Sequence, residues 1–146
     1  MELDDLYQDI ILDHYRHPRR RRPIPDGEAI VDEENPVCGD RIKLMARLRD
    51  RKVEDIAIDV QGCAICTASA SMMAERAYGA TVDECKRFAG DFIRMMRGGP
   101  ELPESELGEL AALRGVRSFP IRVKCATMPW HALETALSRL ERESAS

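Results

Sequence analysis

A chain of 146 residues fits one compact domain and can bury about two thirds of its unfolded surface. With 44% hydrophobic residues, 33% charged residues and a net charge of −4, it is an ordinary globular sequence with no basic field for nucleic acid. No apolar run reaches the length of a membrane span, and the acidic, amphipathic opening MELDDLYQDI is neither a signal nor a transit peptide, which points to the cytoplasm.

Leu3, Leu6, Ile10, Ile11 and His14 recur at helical spacing, with Glu2, Asp4 and Asp5 near the positive end, so the chain opens with an amphipathic helix that Pro18 stops. Arg19 to Arg22, followed by Pro23 and Pro25, make a basic loop, and Ala29 to Val31 reads as a short strand. In DRIKLMARLR, Ile42, Leu44, Ala46 and Leu48 alternate with charged neighbours, as in a half-exposed strand. Asp50 and Arg51 form a tight connection to a second strand, in which Ile56, Ile58 and Val60 alternate with Ala57, Asp59 and Gln61. After Gly62 the period changes: CAICTASASMMAERAYG is an Ala- and Ser-rich helix ending at Gly79. Thr81 and Glu84 form a capping box for a helix whose stripe is Cys85, Phe88, Ala89, Phe92 and Met96, closed by Gly98-Gly99-Pro100. A short helix around Glu104 to Arg114 stops at Gly115, and Trp130, Leu133, Leu137 and Leu140 mark the last helix. Strands grouped first and helices afterwards predict an α+β fold: a small antiparallel three-stranded sheet covered by helices, in a single domain over residues 1–146.

Five cysteines in a cytosolic chain are better read as metal ligands or reactive thiols than as a disulfide framework. Cys38 lies in the loop NPVCGD before the first long strand, Cys63 where the second strand turns into a helix, and Cys125 just before the final helix. A helix N-terminus favours thiolate at Cys63, and Lys124 does so at Cys125. The hairpin returns Cys63 to the end of the sheet from which Cys38 departed, and Asp40, two residues on in extended chain, points to the same side. Three sulfur ligands and a carboxylate suit tetrahedral zinc, and Lys124 and Arg122 are the neighbouring cations that answer the surplus negative charge. The alternative is a set of isolated buried cysteines.

The motifs NPVCGDRI, QGCAICTASASMM, LGELAALRGV and FPIRVKCATMPWHAL, with LYQDIILDHYRHP ahead of them, resemble the SufU-type branch of the IscU-like (NifU N-terminal-like) iron–sulfur cluster assembly proteins over nearly the whole chain. The resemblance implies Cys38, Asp40, Cys63 and Cys125 as metal ligands. The IscU branch has His directly before the third ligand cysteine, where this chain has Lys124; it also carries the SufU-type insertion over Gly98 to Phe119. The implied activity is that of a zinc-dependent sulfurtransferase: it takes persulfide sulfur from a SufS-like cysteine desulfurase, with Cys38 as the acceptor thiol, and passes it on to downstream Suf scaffold proteins. The second reading is a scaffold that holds iron or a transient [2Fe–2S] cluster on the same ligands. Many relatives have Ser where this chain has Cys66, so CAIC also admits a CxxC thiol oxidoreductase, although a hairpin rather than a βαβ unit precedes it. A purely structural zinc module is the fourth reading.

Cys66 lies one turn after Cys63 and flanks the site or replaces a small core residue; Cys85, on the Phe88–Phe92 stripe, reads as core. His14 and His131 read as packed surface histidines rather than ligands. The run of Arg16 and Arg19 to Arg22 is a solvated loop or docks on an acidic partner surface. No P-loop, GxGxxG or HExxH is present, and neither nucleic acid nor a membrane is a partner.

Overall fold

The hairpin at the centre of the sequence organises the molecule. In the computed structural model, which describes residues 5–36 and 38–145, β2 (Asp40–Arg49) and β3 (Lys52–Gln61) pair antiparallel from Arg41↔Gln61 to Arg49↔Lys52. Their connection is two residues long, with Asp50 and Arg51 both at positive φ (51° and 61°), which matches the twist of the strands it joins. A register shift after Arg47 leaves Glu54 as an extra residue in β3. The bulge explains why Val53 and Ile56, three apart, are both buried with Ile58 and Val60. Ile42, Leu44 and Ala46 of β2 complete the inward face.

The third strand is β1 (Val31–Asn35), giving the order β1-β2-β3. The expectation of a strand over Ala29 to Val31 therefore needs correction: Asp26–Glu28 forms a 3₁₀ turn and pairing begins at Val31↔Leu44. Long-range pairing overrides the poor strand propensity of Asp32, Glu33 and Glu34, because Arg41 on the neighbouring strand clasps Asp32 through two hydrogen bonds of 2.9 and 2.8 Å. The free edge of β3 is occupied by the basic loop, whose backbone bonds Ile58 through the carbonyl of Arg20 and the amide of Arg22.

Among the described residues, five α-helices complete the domain: α1 (Asp5–Arg16), α2 (Ala64–Ala77), α3 (Val82–Met96), the single turn α4 (Glu104–Leu107) and α5 (Pro120–Ala145). Leu3, Glu2 and Asp4 of the expected first helix lie outside the described residues. The middle helix α2 packs against α1, α5 and β3, which its small side chains allow, and Ser69, Ser71 and Ala68 to Ala74 are buried. Thr81 and Glu84 form the expected capping box of α3. Phe88, Phe92 and Trp130 meet with centroids 5.0 to 6.2 Å apart and join α3 to α5, with Cys85 buried nearby as expected.

Two helical expectations are corrected. The segment read as a helix over Glu104 to Arg114 is one α-turn followed by a 3₁₀ run, Gly108–Ser118, which passes straight through Gly115. The break comes at Gly108, held at φ +54°. The last helix also starts earlier than its apolar stripe implies, at Pro120, where a proline is well placed. Cys125 thus lies inside α5, not before it.

Candidate metal centre

Asp40 is the first residue of β2 and is 1% exposed. Its Oδ1 accepts the backbone N–H of Cys63 at 2.9 Å, across the mouth of the hairpin. Its Oδ2 lies 3.6 Å from the sulfur of Cys63. Burial alone would push the Asp40 carboxyl up; the amide of Cys63 and the thiols of Cys125, Cys38 and Cys63 together outweigh it and hold the carboxyl below its ordinary value. The approach depends on Gly62. A Cβ there would sit 2.3 Å from Oδ1 of Asp40, so only glycine lets this strand end close on the carboxylate. Read from the sequence, Gly62 marks only the end of a strand; its role shows once the hairpin register sets it against Asp40.

Cys63 is the N-cap of α2, and the backbone N–H of Cys66 donates to its sulfur at 3.4 Å. Cys38 occupies the turn joining Asn35 to Asp40, which Gly39 closes at φ +76° with its N–H on the Asn35 carbonyl at 2.7 Å. From the opposite side, α5 presents Cys125, whose sulfur is 3.7 Å from that of Cys38. Ser69 on α2 fixes this part of α5: its hydroxyl donates to the Ala126 carbonyl at 2.6 Å and accepts from Trp130 Nε1 at 3.0 Å. Pro129, inside α5, has no N–H to return to the carbonyl of Cys125 four residues back, so the helix ladder is interrupted at the cysteine itself.

The donor atoms of Cys38, Asp40 and Cys125 all lie within 4.8 Å of one another; the Cys63 sulfur falls outside that mutual spacing but lies 3.6 Å from the same carboxylate. A tetrahedral zinc with Zn–S bonds of about 2.3 Å and a Zn–O bond of about 2.0 Å sets its sulfurs about 3.8 Å apart and each sulfur about 3.5 Å from the oxygen. The observed 3.7 Å and 3.6 Å spacings match two edges of that frame, and Cys63 would have to move closer to the other thiols to complete it. Burial, and then the neighbouring carboxylate and Cys63, push the Cys125 thiol up. Lys124 does not offset this: it and Arg122 are exposed and form no ion pair with any described residue. Cys66 is fully buried, faces the same carboxylate, and has its thiol pushed up, chiefly by burial.

His14 departs from its reading as a surface histidine. It is fully buried, with Nδ1 2.7 Å from Ser71 Oγ and Nε2 3.1 Å from Glu109 Oε1, and it ties α1 to α2 and to the 3₁₀ run. His131 is half-buried beside Arg97 and Glu134. Most of the basic loop is consumed internally. Arg19 pairs with Asp13 at 2.6 Å; Arg20 bonds Asp55 and the Ile56 carbonyl and lies 3.8 Å over the Tyr78 ring.

A buried carboxylate ringed by thiols, set at the end of a three-stranded antiparallel sheet under helices, defines a small α+β domain with a soft-metal type of donor cluster. The chain belongs to the family described as the NifU-like N terminal domain, whose model matches residues 6–141. It is 41% identical to the zinc-dependent sulfurtransferase SufU of Bacillus subtilis (strain 168), over 95% of this chain and 94% of that protein. It is 39% identical to the iron–sulfur cluster assembly scaffold protein IscU of Streptococcus pyogenes serotype M1, over 94% of this chain and 86% of that one. The crystal structure of a nitrogen-fixing NifU-like N-terminal domain from Brucella abortus superposes with a TM-score of 0.81 at 28% identity, covering 96% of this chain and 97% of that chain. Among the described residues no helix is long and apolar enough to cross a membrane.

Proposed function

We propose that the chain is a cytoplasmic iron–sulfur cluster assembly protein that holds one zinc ion through Cys38, Asp40, Cys63 and Cys125 and accepts sulfur from the persulfide of a cysteine desulfurase. The observation that carries this reading is the grouping of the Cys38, Asp40 and Cys125 donors within 4.8 Å of one another, with the Cys63 sulfur 3.6 Å from the same carboxylate. When bound, zinc supplies a positive charge that favours thiolate over thiol at its ligands. Cys38 is the acceptor. Its thiolate attacks the terminal sulfur of the partner's persulfide; the S–S bond breaks, the partner's cysteine leaves as thiolate, and Cys38 carries the new S–SH with its proton. Asp40 cannot form a persulfide and acts by holding its neighbours in place. The relative named as a sulfurtransferase supports this reading.

The test combines metal analysis with turnover. Purified protein should hold about one zinc per chain, as one four-ligand site requires. It should stimulate a cysteine desulfurase and gain one sulfur atom on Cys38 by mass spectrometry, and Cys38→Ala should abolish both effects. A persulfide on Cys66 alone, with Cys38→Ala fully active, would move the acceptor role to the CxxC pair. The scaffold reading is favoured by the relative named as a scaffold, since the same thiols ligate iron. A stable visible-absorbing cluster after reconstitution with iron and sulfide would select it.

A further inference from the structure

The basic loop is not uniformly used. Arg19 and Arg20 are consumed by Asp13, Asp55 and the Tyr78 ring, and Arg22 lies against the Met45 sulfur and the Pro23 carbonyl. Arg21 differs. Its backbone is fixed by the bridge to Ile58, yet its guanidinium forms no ion pair or hydrogen bond with any described residue. It borders a groove of ≈ 350 Å³ that Tyr15, Val60, Gln61, Gly62 and Thr67 complete. Tyr15 is 44% exposed, whereas Val60 and Thr67 form a buried floor. Gly62, in the lining of the groove, is the residue before Cys63.

We infer that this groove docks an acidic surface segment of the cysteine desulfurase and thereby brings the persulfide to the cluster; the inference rests on the function proposed above. Charge complementarity assigns the occupant. The chain as a whole carries −4, so Arg21 and the neighbouring Arg16, neither paired with any described residue, make a local patch opposite in sign to the molecule's net charge. The exposed tyrosine and the mixed floor of Val60 and Thr67 suit a protein segment better than an inorganic anion, because an aromatic rim offers rigid contact area at little entropic cost. Position supplies the function: Gly62 of the groove is joined directly to Cys63 and lies against Asp40 of the cluster.

The test is desulfurase stimulation titrated against zinc-loaded protein. Arg21→Glu should raise the half-saturating concentration about tenfold, and Tyr15→Ala by a smaller factor, with zinc content unchanged and the effect absent from the rate at saturation. Arg21→Lys should recover most of the loss. Added salt should raise the half-saturating concentration of the parent more steeply than that of Arg21→Glu. A photo-crosslinker at position 15 should map to an acidic segment of the desulfurase. An unchanged half-saturating concentration for Arg21→Glu, or a crosslink to a basic segment, overturns the docking inference and leaves the sulfur-acceptor reading standing. A parent protein that holds zinc but stimulates no desulfurase overturns that reading instead.

Discussion

Gly62→Ala adds one methyl group at a place where the structure has no room for it. The new Cβ would lie 2.3 Å from Oδ1 of Asp40, 2.7 Å from its Cγ and 3.0 Å from its Cβ, whereas ordinary contact starts at 3.4 Å. The carboxylate must retreat by about 1 Å, and it is the less rigid party because Gly62 is bound into the strand-to-helix junction. The same movement stretches the 2.9 Å bond from the Cys63 amide to Oδ1 and spoils the 3.6 Å approach of the Cys63 sulfur to Oδ2. Disturbing the support of metal ligands weakens metal affinity about 10- to 100-fold, or about 1.4 to 2.8 kcal/mol. Competition with a chromophoric chelator measures this directly, and circular dichroism checks that the fold persists. The Asp40→Ala/Gly62→Ala double variant isolates the route: if the methyl acts through Asp40, it loses no more affinity than Asp40→Ala alone. Affinity within twofold of the parent in Gly62→Ala, or additive losses in the double variant, would refute the reasoning.

Other outcomes follow from the same geometry. Asp40→Ala should retain zinc better than Cys63→Ser on dialysis, because a thiolate is the stronger donor; full zinc in both variants would mean that the site is misassigned. Cys85→Ala should leave zinc content intact and lower stability by about 1 kcal/mol in urea, as a small truncation of a buried thiol does; loss of zinc would contradict its place in the core. Ser69→Ala should cost about 1–3 kcal/mol, because it strands the buried Trp130 N–H and the Ala126 carbonyl; an unchanged urea midpoint would mean that other partners take over. In zinc-free protein the Asp40 carboxyl lies below its ordinary value, so its contribution is present above that value, about 3.9, and is lost as pH falls through the lower folded pKa. Acid titration of Asp40→Asn should lack that increment, and superimposable acid transitions would falsify it.

The hairpin and the capping box were legible because each is local: alternation in β2, the change of period at Gly62 and the Thr81–Glu84 spacing all fall within a few residues. The placement of Asp40 beside Cys63 followed from the hairpin alone. What escaped depends on residues far apart. Acidic Asp32 becomes a strand residue because Arg41 on the neighbouring strand reaches diagonally to it, and His14 is buried because Ser71 and Glu109 reach it. Cys125 sits inside a helix because Pro129 is tolerated there, at the cost of a single backbone bond. The packing of Trp130 and Leu133 carries α5 past that break, which no propensity at Cys125 itself announces.

The distribution of restraint among the thiols argues for Cys38 as the group that leaves the cluster to react. Cys125 and Cys66 are buried, and both sit on helices fixed in the core. Cys63 is half-buried, as Cys38 is, but its sulfur is held by the Cys66 amide, its own amide is held by Asp40, and its backbone starts a helix. Moving it would uncap α2 and strip the carboxylate of its backbone donor. Cys38 has none of these backbone anchors: it rides on a turn between two strand ends, closed by one glycine, and its thiol meets only the Asp40 carboxylate and, at 3.7 Å, the Cys125 sulfur among the cluster's groups. A turn of this kind can reorient without breaking the β1–β2 pairing, which begins again at Asn35↔Asp40. The least costly opening of the cluster is therefore the release of Cys38, which leaves the Cys63–Asp40 contact in place to receive it back.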